Sequence, residues 1–188
     1  MLPCNAAAML LVAVQSLASY GVATAAHYDR RILSALSRWP SLLAGALLLF
    51  LGAWSITGSH PVLAWLSFTV GATVLSAQFS RTAPAKFKRS ALQSGLLLLL
   101  AALLAPLLNY YSGLMPQLIG STGALLVLMV LFLVWPCPAL DGFLSGFGSV
   151  LFAVWTVHDV SHISCESPLV KSTQIFLDLL NLVGFTSR

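Results

Sequence analysis

Two long stretches of this chain carry no Asp, Glu, Lys or Arg: Trp39 to Ser80 and Ser90 to Leu140. Each is far longer than the ~20 residues that one bilayer-spanning helix needs. A soluble domain carries about 25% charged residues; here only 7% of 188 residues are charged, and 59% are hydrophobic. That balance excludes an ordinary soluble enzyme. It also excludes a disordered chain, which is poor in apolar residues and rich in charge. The mean hydropathy of +0.93 fits a polytopic membrane protein. No strand alternation competes with the apolar runs, so the expected class is all-α.

The breaks within the apolar stretches are readable. Gly58-Ser59-His60-Pro61 divides the first, and Asn109-Tyr110-Tyr111-Ser112-Gly113 with Pro116 divides the second. Gly is too free for a helix interior and Pro lacks a donor. Each stretch is therefore expected to fold as a helical hairpin. Pro136-Cys137-Pro138 forces a further turn. Hydropathy then places seven spans, at about 6–26, 39–57, 61–79, 91–108, 117–135, 139–160 and 169–185. The last is shorter and more polar than the others. The expected organisation is a single transmembrane domain over residues 1–188. The first run has no Lys or Arg before it, unlike a secretory signal, and is read as a retained helix.

The net charge of +4 is no nucleic-acid signal. The cations gather in two segments read as loops: Arg30, Arg31 and Arg38, then Arg81, Lys86, Lys88 and Arg89. Basic clusters beside spans mark the cytoplasmic side and attract anionic lipid. Both follow odd-numbered spans, which puts the N-terminus outside and Arg188 inside. Cys4, Cys137 and Cys165 give no disulfide framework.

Ionisable groups inside spans cost on the order of 2.5–3.5 kcal/mol at a helix centre, so the acids carry most of the information. Asp29 falls in a basic loop and is expected to be solvated. Asp141 opens the sixth span, where an acid suits the helix N-terminus. Asp159 ends that span, about five turns from Asp141 and at the same azimuth. Asp178 lies in the middle of the seventh. Lys171, Gln174, Asp178 and Asn181 recur at helical spacing and form one polar stripe, expected to face the bundle interior or a water-filled path. Two carboxylates that meet there share a proton and titrate in two steps. The bland alternative is that they only hold the last two helices together.

The segment Gln174-Ile175-Phe176-Leu177-Asp178-Leu179-Leu180-Asn181-Leu182, with a preceding span that ends in Asp159, resembles the Bax inhibitor motif family of transmembrane proteins. The likeness covers Leu151 to Phe185 closely and the remainder only in architecture. It implies seven helices with a semi-polar, central last one. It also implies a hydrogen-bonded aspartate pair, here Asp159 and Asp178, and a pH-sensitive calcium leak associated with suppression of cell death. The family follows its first aspartate with Thr-Gln, where this chain has Val160-Ser161, and it carries charges in its second helix, where this chain has none. Its usual topology puts the N-terminus in the cytosol, opposite to the reading from the basic clusters. The expected function is a non-enzymatic cation leak without cofactor, with calcium or another cation and membrane lipid as partners and a path along Asp141, Asp159, Asp178, Gln174 and Asn181.

The same residues admit rival chemistries. His158 and His162 stand at i and i+4, as metal ligands do in His-Glu-x-x-His proteases. The intervening acid is Asp159, too short to reach a metal-bound water well, and Pro168 is expected to follow a helix end. Interfacial histidines, or proton exchange with the aspartates, fit better, and no metal site is expected. Intramembrane aspartyl proteases carry Gly-x-Gly-Asp; Gly146-Phe147-Gly148-Ser149 ends in Ser. Gly142, Gly146 and Gly148 are read as small residues for close helix packing. The non-catalytic alternative is a structural or assembly subunit of a membrane complex.

Overall fold

The computed structural model describes residues 4–78, 84–108, 114–162 and 167–186. Among them are eight α-helices and no strand: α1 Cys4–Tyr28, α2 Arg30–Leu36, α3 Trp39–Ser55, α4 Pro61–Ser76, α5 Pro84–Leu108, α6 Met115–Val134, α7 Pro138–Ser161 and α8 Pro168–Thr186. Six helices begin with Pro at their first or second residue: Pro40, Pro61, Pro84, Pro116, Pro138 and Pro168. A helix leaves its first N–H groups unpaired, so Pro loses nothing there and its fixed φ already suits the helix.

Seven of the helices fall on the seven expected runs. Their membrane-spanning capacity is less uniform. Among the described residues, Ala6–Tyr28, Met115–Val134 and Pro138–Ser161 are long and apolar enough to cross a membrane. The pair α2–α3 adds a fourth if its 65° bend is counted within one span, and α4 is a shorter apolar helix. The expectation of seven full spans is thus met only in its coarser form, as several apolar helices that fit a multi-pass membrane protein. The segment 30–38, read as a loop, contains α2. Asp29, expected to be merely solvated, is its N-cap, with Oδ1 accepting from Arg31 N at 2.8 Å. Likewise Lys86, Lys88 and Arg89 belong to α5, which starts at Pro84 rather than near Ala91.

The chain divides into two compact units, Met1–Lys88 with Ile163–Phe176, and Arg89–His162 with Leu177–Arg188. In the first, α3 and α4 form a tight hairpin. Gly52 lets the α4 backbone approach so closely that a Cβ there would lie 2.6 Å from Ala64 O. Gly71 does the same for α3, 2.5 Å from Gly45 O. α1 packs on α4, and Ala8, Val12, Gln15, Ser19, Ala23 and Ala26 of α1 are buried. Gln15 Nε2 donates to Thr69 Oγ1 at 3.1 Å, and Ser76 Oγ donates to Ser19 O at 3.0 Å. The first part of α8 joins this unit through Trp65 Nε1 donating to Ser172 Oγ at 3.1 Å, and through an edge-to-face contact of Phe68 with Phe176.

The second unit centres on the α6–α7 hairpin, turned at Pro136-Cys137-Pro138, with Leu118, Leu125, Leu144, Leu151 and Phe185 in its core. Cys137 is a free thiol at this turn. Cys165, the side chain of Cys4 and the break at 109–113 lie outside what the structure describes. Of the three small residues on α7, only Gly148 serves close packing, because the Phe185 ring lies over it; Gly142 and Gly146 have nothing within 4 Å.

Candidate functional site

Asp141 and Asp159, at the two ends of α7, and Asp178 and Asn181, in the second part of α8, belong to the second unit, whereas Gln174 belongs to the first. Asp159 and Asp178 are both buried, at 6% and 8% exposure. Asp141 is half-buried in the first turn of α7. Asn181 is half-buried and Gln174 is exposed. The stripe on α8 is therefore split. In the first part of α8 the buried residues are Ser172, Thr173, Ile175 and Phe176, and Gln174 is exposed. In the second part Asp178, Leu179, Leu182 and Phe185 are buried.

The register between α7 and α8 follows from Phe185. Its carbonyl accepts from Ser145 Oγ at 2.7 Å, and its ring stacks on Phe152 with centroids 5.7 Å apart. The two helices run antiparallel there, with Phe185 level with Gly148. Asp178 precedes Phe185 by seven residues and Asp159 follows Gly148 by eleven. At 1.5 Å per residue the carboxylates differ in height by about 6 Å, roughly one turn. Ser145, which shares the azimuth of Asp141, is engaged with the α8 carbonyl rather than facing an open path.

Around Asp159 the side chains are tightly organised. Trp155 Nε1 donates to Thr122 Oγ1 on α6 at 2.9 Å, and Thr122 Oγ1 donates in turn to Leu118 O at 2.9 Å. The anchored indole meets the His158 ring edge to face, centroids 5.8 Å apart. His158 Nδ1 lies 3.3 Å from Asp159 Oδ1. The His158 and His162 rings stack, with centroids 4.3 Å apart and planes 22° from parallel. His162 Nδ1 lies 2.9 Å from His158 O and 2.9 Å from Ser161 Oγ. The two histidines and Ser161 form the polar end of a cavity of about 440 Å³, otherwise lined by Leu97, Leu114, Val150, Ala153, Val154 and Val157. Among the described residues no three His, Cys, Asp or Glu side chains come together as a metal cage.

The i, i+4 spacing of the histidines was legible in sequence. The parts played by Trp155, Thr122 and Ser161 were not, since Trp155 and Thr122 meet across two helices. An indole one turn before the first histidine is the only local signal. No protein-family model, curated protein or solved structure matches this chain.

Proposed function

We propose that this chain is a seven-span membrane protein of the Bax-inhibitor type that leaks cations, calcium foremost, under the control of Asp159 and Asp178. The observation that carries the reading is the burial of both carboxylates on consecutive helices of a chain with only five acids. Carboxylate oxygens suit a hard cation such as calcium. Buried acids in apolar helices mark ion pathways and proton relays.

His158 Nδ1 lies beside Asp159 Oδ1, so the change that touches the pair alone is made at Asp178. Of the other charged groups on the neighbouring helices, His162 lies beyond His158, Arg89 at the start of α5 is exposed, and Lys171 on α8 is half-buried. With Asp178 ionised, two like charges repel across about one turn and offer oxygens to a cation. With Asp178 protonated, the repulsion is gone and the carboxyl gains a donor that ties the helices together. Acidification therefore closes the path. The same reading puts the protein in the endoplasmic reticulum or another internal membrane if its source is eukaryotic or viral, and in the plasma membrane if it is bacterial, where a leak changes calcium stores and bears on cell death.

The test is calcium flux into proteoliposomes across a pH series. Wild-type flux falls as pH falls, and Asp178→Asn flattens the response because an amide does not titrate. Retained thermal stability shows that the variant is folded. Absence of flux at every pH, or an unchanged pH response in Asp178→Asn, removes the leak and leaves a non-catalytic structural subunit.

A further inference from the structure

We infer that α2 lies in the membrane–water interface as an amphipathic helix, and that Arg30, Arg31 and Arg38 bind the phosphate of an anionic glycerophospholipid there. The residue order sets two faces. Ile32, Ala35 and Leu36 follow the i, i+3, i+4 spacing of one helix face. Arg30, Arg31 and Ser34 fall on the other, and Arg38 follows at the bend into α3. No residue of α2 is buried by the described chain: Ile32 and Ala35 are exposed and Leu36 is half-buried. The apolar face is therefore left for lipid.

The neighbouring elements set its depth. α1 ends at Tyr28, which is 83% exposed, and α3 starts at Trp39, which is 71% exposed. Tyr and Trp favour the level of the lipid headgroups. α2 is bent 65° from α3. With α3 along the membrane normal, α2 is inclined about 25° to the membrane plane. That is the attitude of an interfacial helix, whose apolar side enters the acyl boundary while its cationic side meets the headgroups.

The arginines do not serve the helix itself. Cations in a first turn oppose the helix dipole, and Arg30 and Arg31 are the first two residues of α2. Asp29 is adjacent, but its Oδ1 is engaged by Arg31 N as the cap. Among the described residues no carboxylate forms an ion pair with Arg30, Arg31 or Arg38, and all three are exposed. Residues 29–38 hold three arginines and one aspartate, a net charge of +2. The complement is an anion fixed at headgroup height. A guanidinium presents a planar fork that matches two phosphate oxygens. A lipid phosphate meets both demands, because its oxygens face the arginines while its acyl chains run on beside Ile32 and Leu36. Free phosphate meets only the first. The surface is independent of whether the protein leaks ions.

The experiment uses full-length protein in phosphatidylcholine nanodiscs that carry a trace of photoactivatable phosphatidylglycerol. Mass spectrometry of the peptides is expected to find the label around α2. Unlabelled phosphatidylglycerol is expected to compete, and neither phosphatidylcholine nor inorganic phosphate does. Arg30→Gln, Arg31→Gln and Arg38→Gln each lower the labelling about fivefold, and the triple variant on the order of 100-fold, the attraction that each cation adds near an anionic surface. A variant with Lys86→Gln, Lys88→Gln and Arg89→Gln labels α2 as strongly as the wild type. Should the α2 variants misfold, the competition on wild-type protein still decides the matter. Spin labels on Ile32→Cys and Ser34→Cys, with the three native cysteines replaced by serine, fix the attitude of the helix. Oxygen from the bilayer is expected to reach the first, and a water-soluble nickel complex the second. Equal competition by phosphatidylcholine or by inorganic phosphate, or labelling that persists in a folded triple variant, overturns the proposal. So does finding both spin labels in water, which would leave α2 to an acidic protein partner instead.

Discussion

At the scale of single residues, hydroxyl groups and glycines do work that charges do in water-soluble folds. Thr69, Thr122 and Ser172 each accept from a neighbouring helix and donate to a carbonyl of their own helix. Each hydroxyl is thereby satisfied on both sides in an apolar setting, although interhelical bonds of this kind average only about 0.6 kcal/mol. Close approach matters more, and Gly52 shows why. A methyl group there meets α4 backbone, which cannot rotate away as a side chain does. Gly52→Ala is expected to destabilise the α3–α4 hairpin by about 1–3 kcal/mol, the usual range for overpacking. Gly123 on α6 has open space around it, so Gly123→Ala is expected to be neutral or to stabilise by up to about 1 kcal/mol through lost backbone freedom. Thermal unfolding of both variants in the same detergent separates them; equal shifts would refute the close approach.

At the scale of elements, α7 and α8 are locked where Phe185 lies over Gly148. A Cβ on Gly148 would sit 2.6 Å from that ring. Gly148→Ala is therefore expected to cost about 1–3 kcal/mol. Phe185→Leu alone costs a similar amount through the cavity it leaves. Together they cost less than the sum, because the smaller, flexible side chain makes room for the new methyl; a double-mutant cycle on unfolding midpoints measures the difference. Five of the six helix starts headed by Pro were legible in the sequence. The start of α5 and the existence of α2 were not. Hydropathy treats a run of Arg and Lys as a loop, and it does not register that Asp29 caps a short basic helix. The polar stripe on α8 was legible as a stripe, but its orientation was not. Which of Gln174, Asp178 and Asn181 becomes buried depends on Phe176, Leu179 and Phe185 finding partners on other helices, a tertiary choice that spacing leaves open. The histidine pair was visible at i, i+4, whereas the stacking of its rings and the contact of Trp155 with His158 were not.

At the scale of the whole molecule, the open question posed by the fold is how a hairpin of two short helices meets the membrane. α3 has 17 residues and α4 has 16, about 25 Å of helix against a hydrocarbon core of about 30 Å. The two ends of α3 argue for a full crossing. Trp39 is 71% exposed at one end and Trp54 is 77% exposed at the other. Trp favours the two membrane–water interfaces, and the pair are about 22 Å apart along the helix. Local thinning of the bilayer accommodates the remaining few ångströms at a fraction of a kcal/mol per ångström. A re-entrant hairpin, by contrast, buries its tip and needs no aromatic belt there. Ser59 lies exposed in the turn between α3 and α4, and Ser34 lies exposed on α2 among Arg30, Arg31 and Arg38. Basic clusters mark one side of the membrane, so Ser34→Cys is expected to react with an impermeant maleimide from the side that carries those arginines. Ser59→Cys is expected to react only from the opposite side. Labelling of both from one side would make the hairpin re-entrant and remove two crossings from the seven that the cation-leak reading assumes.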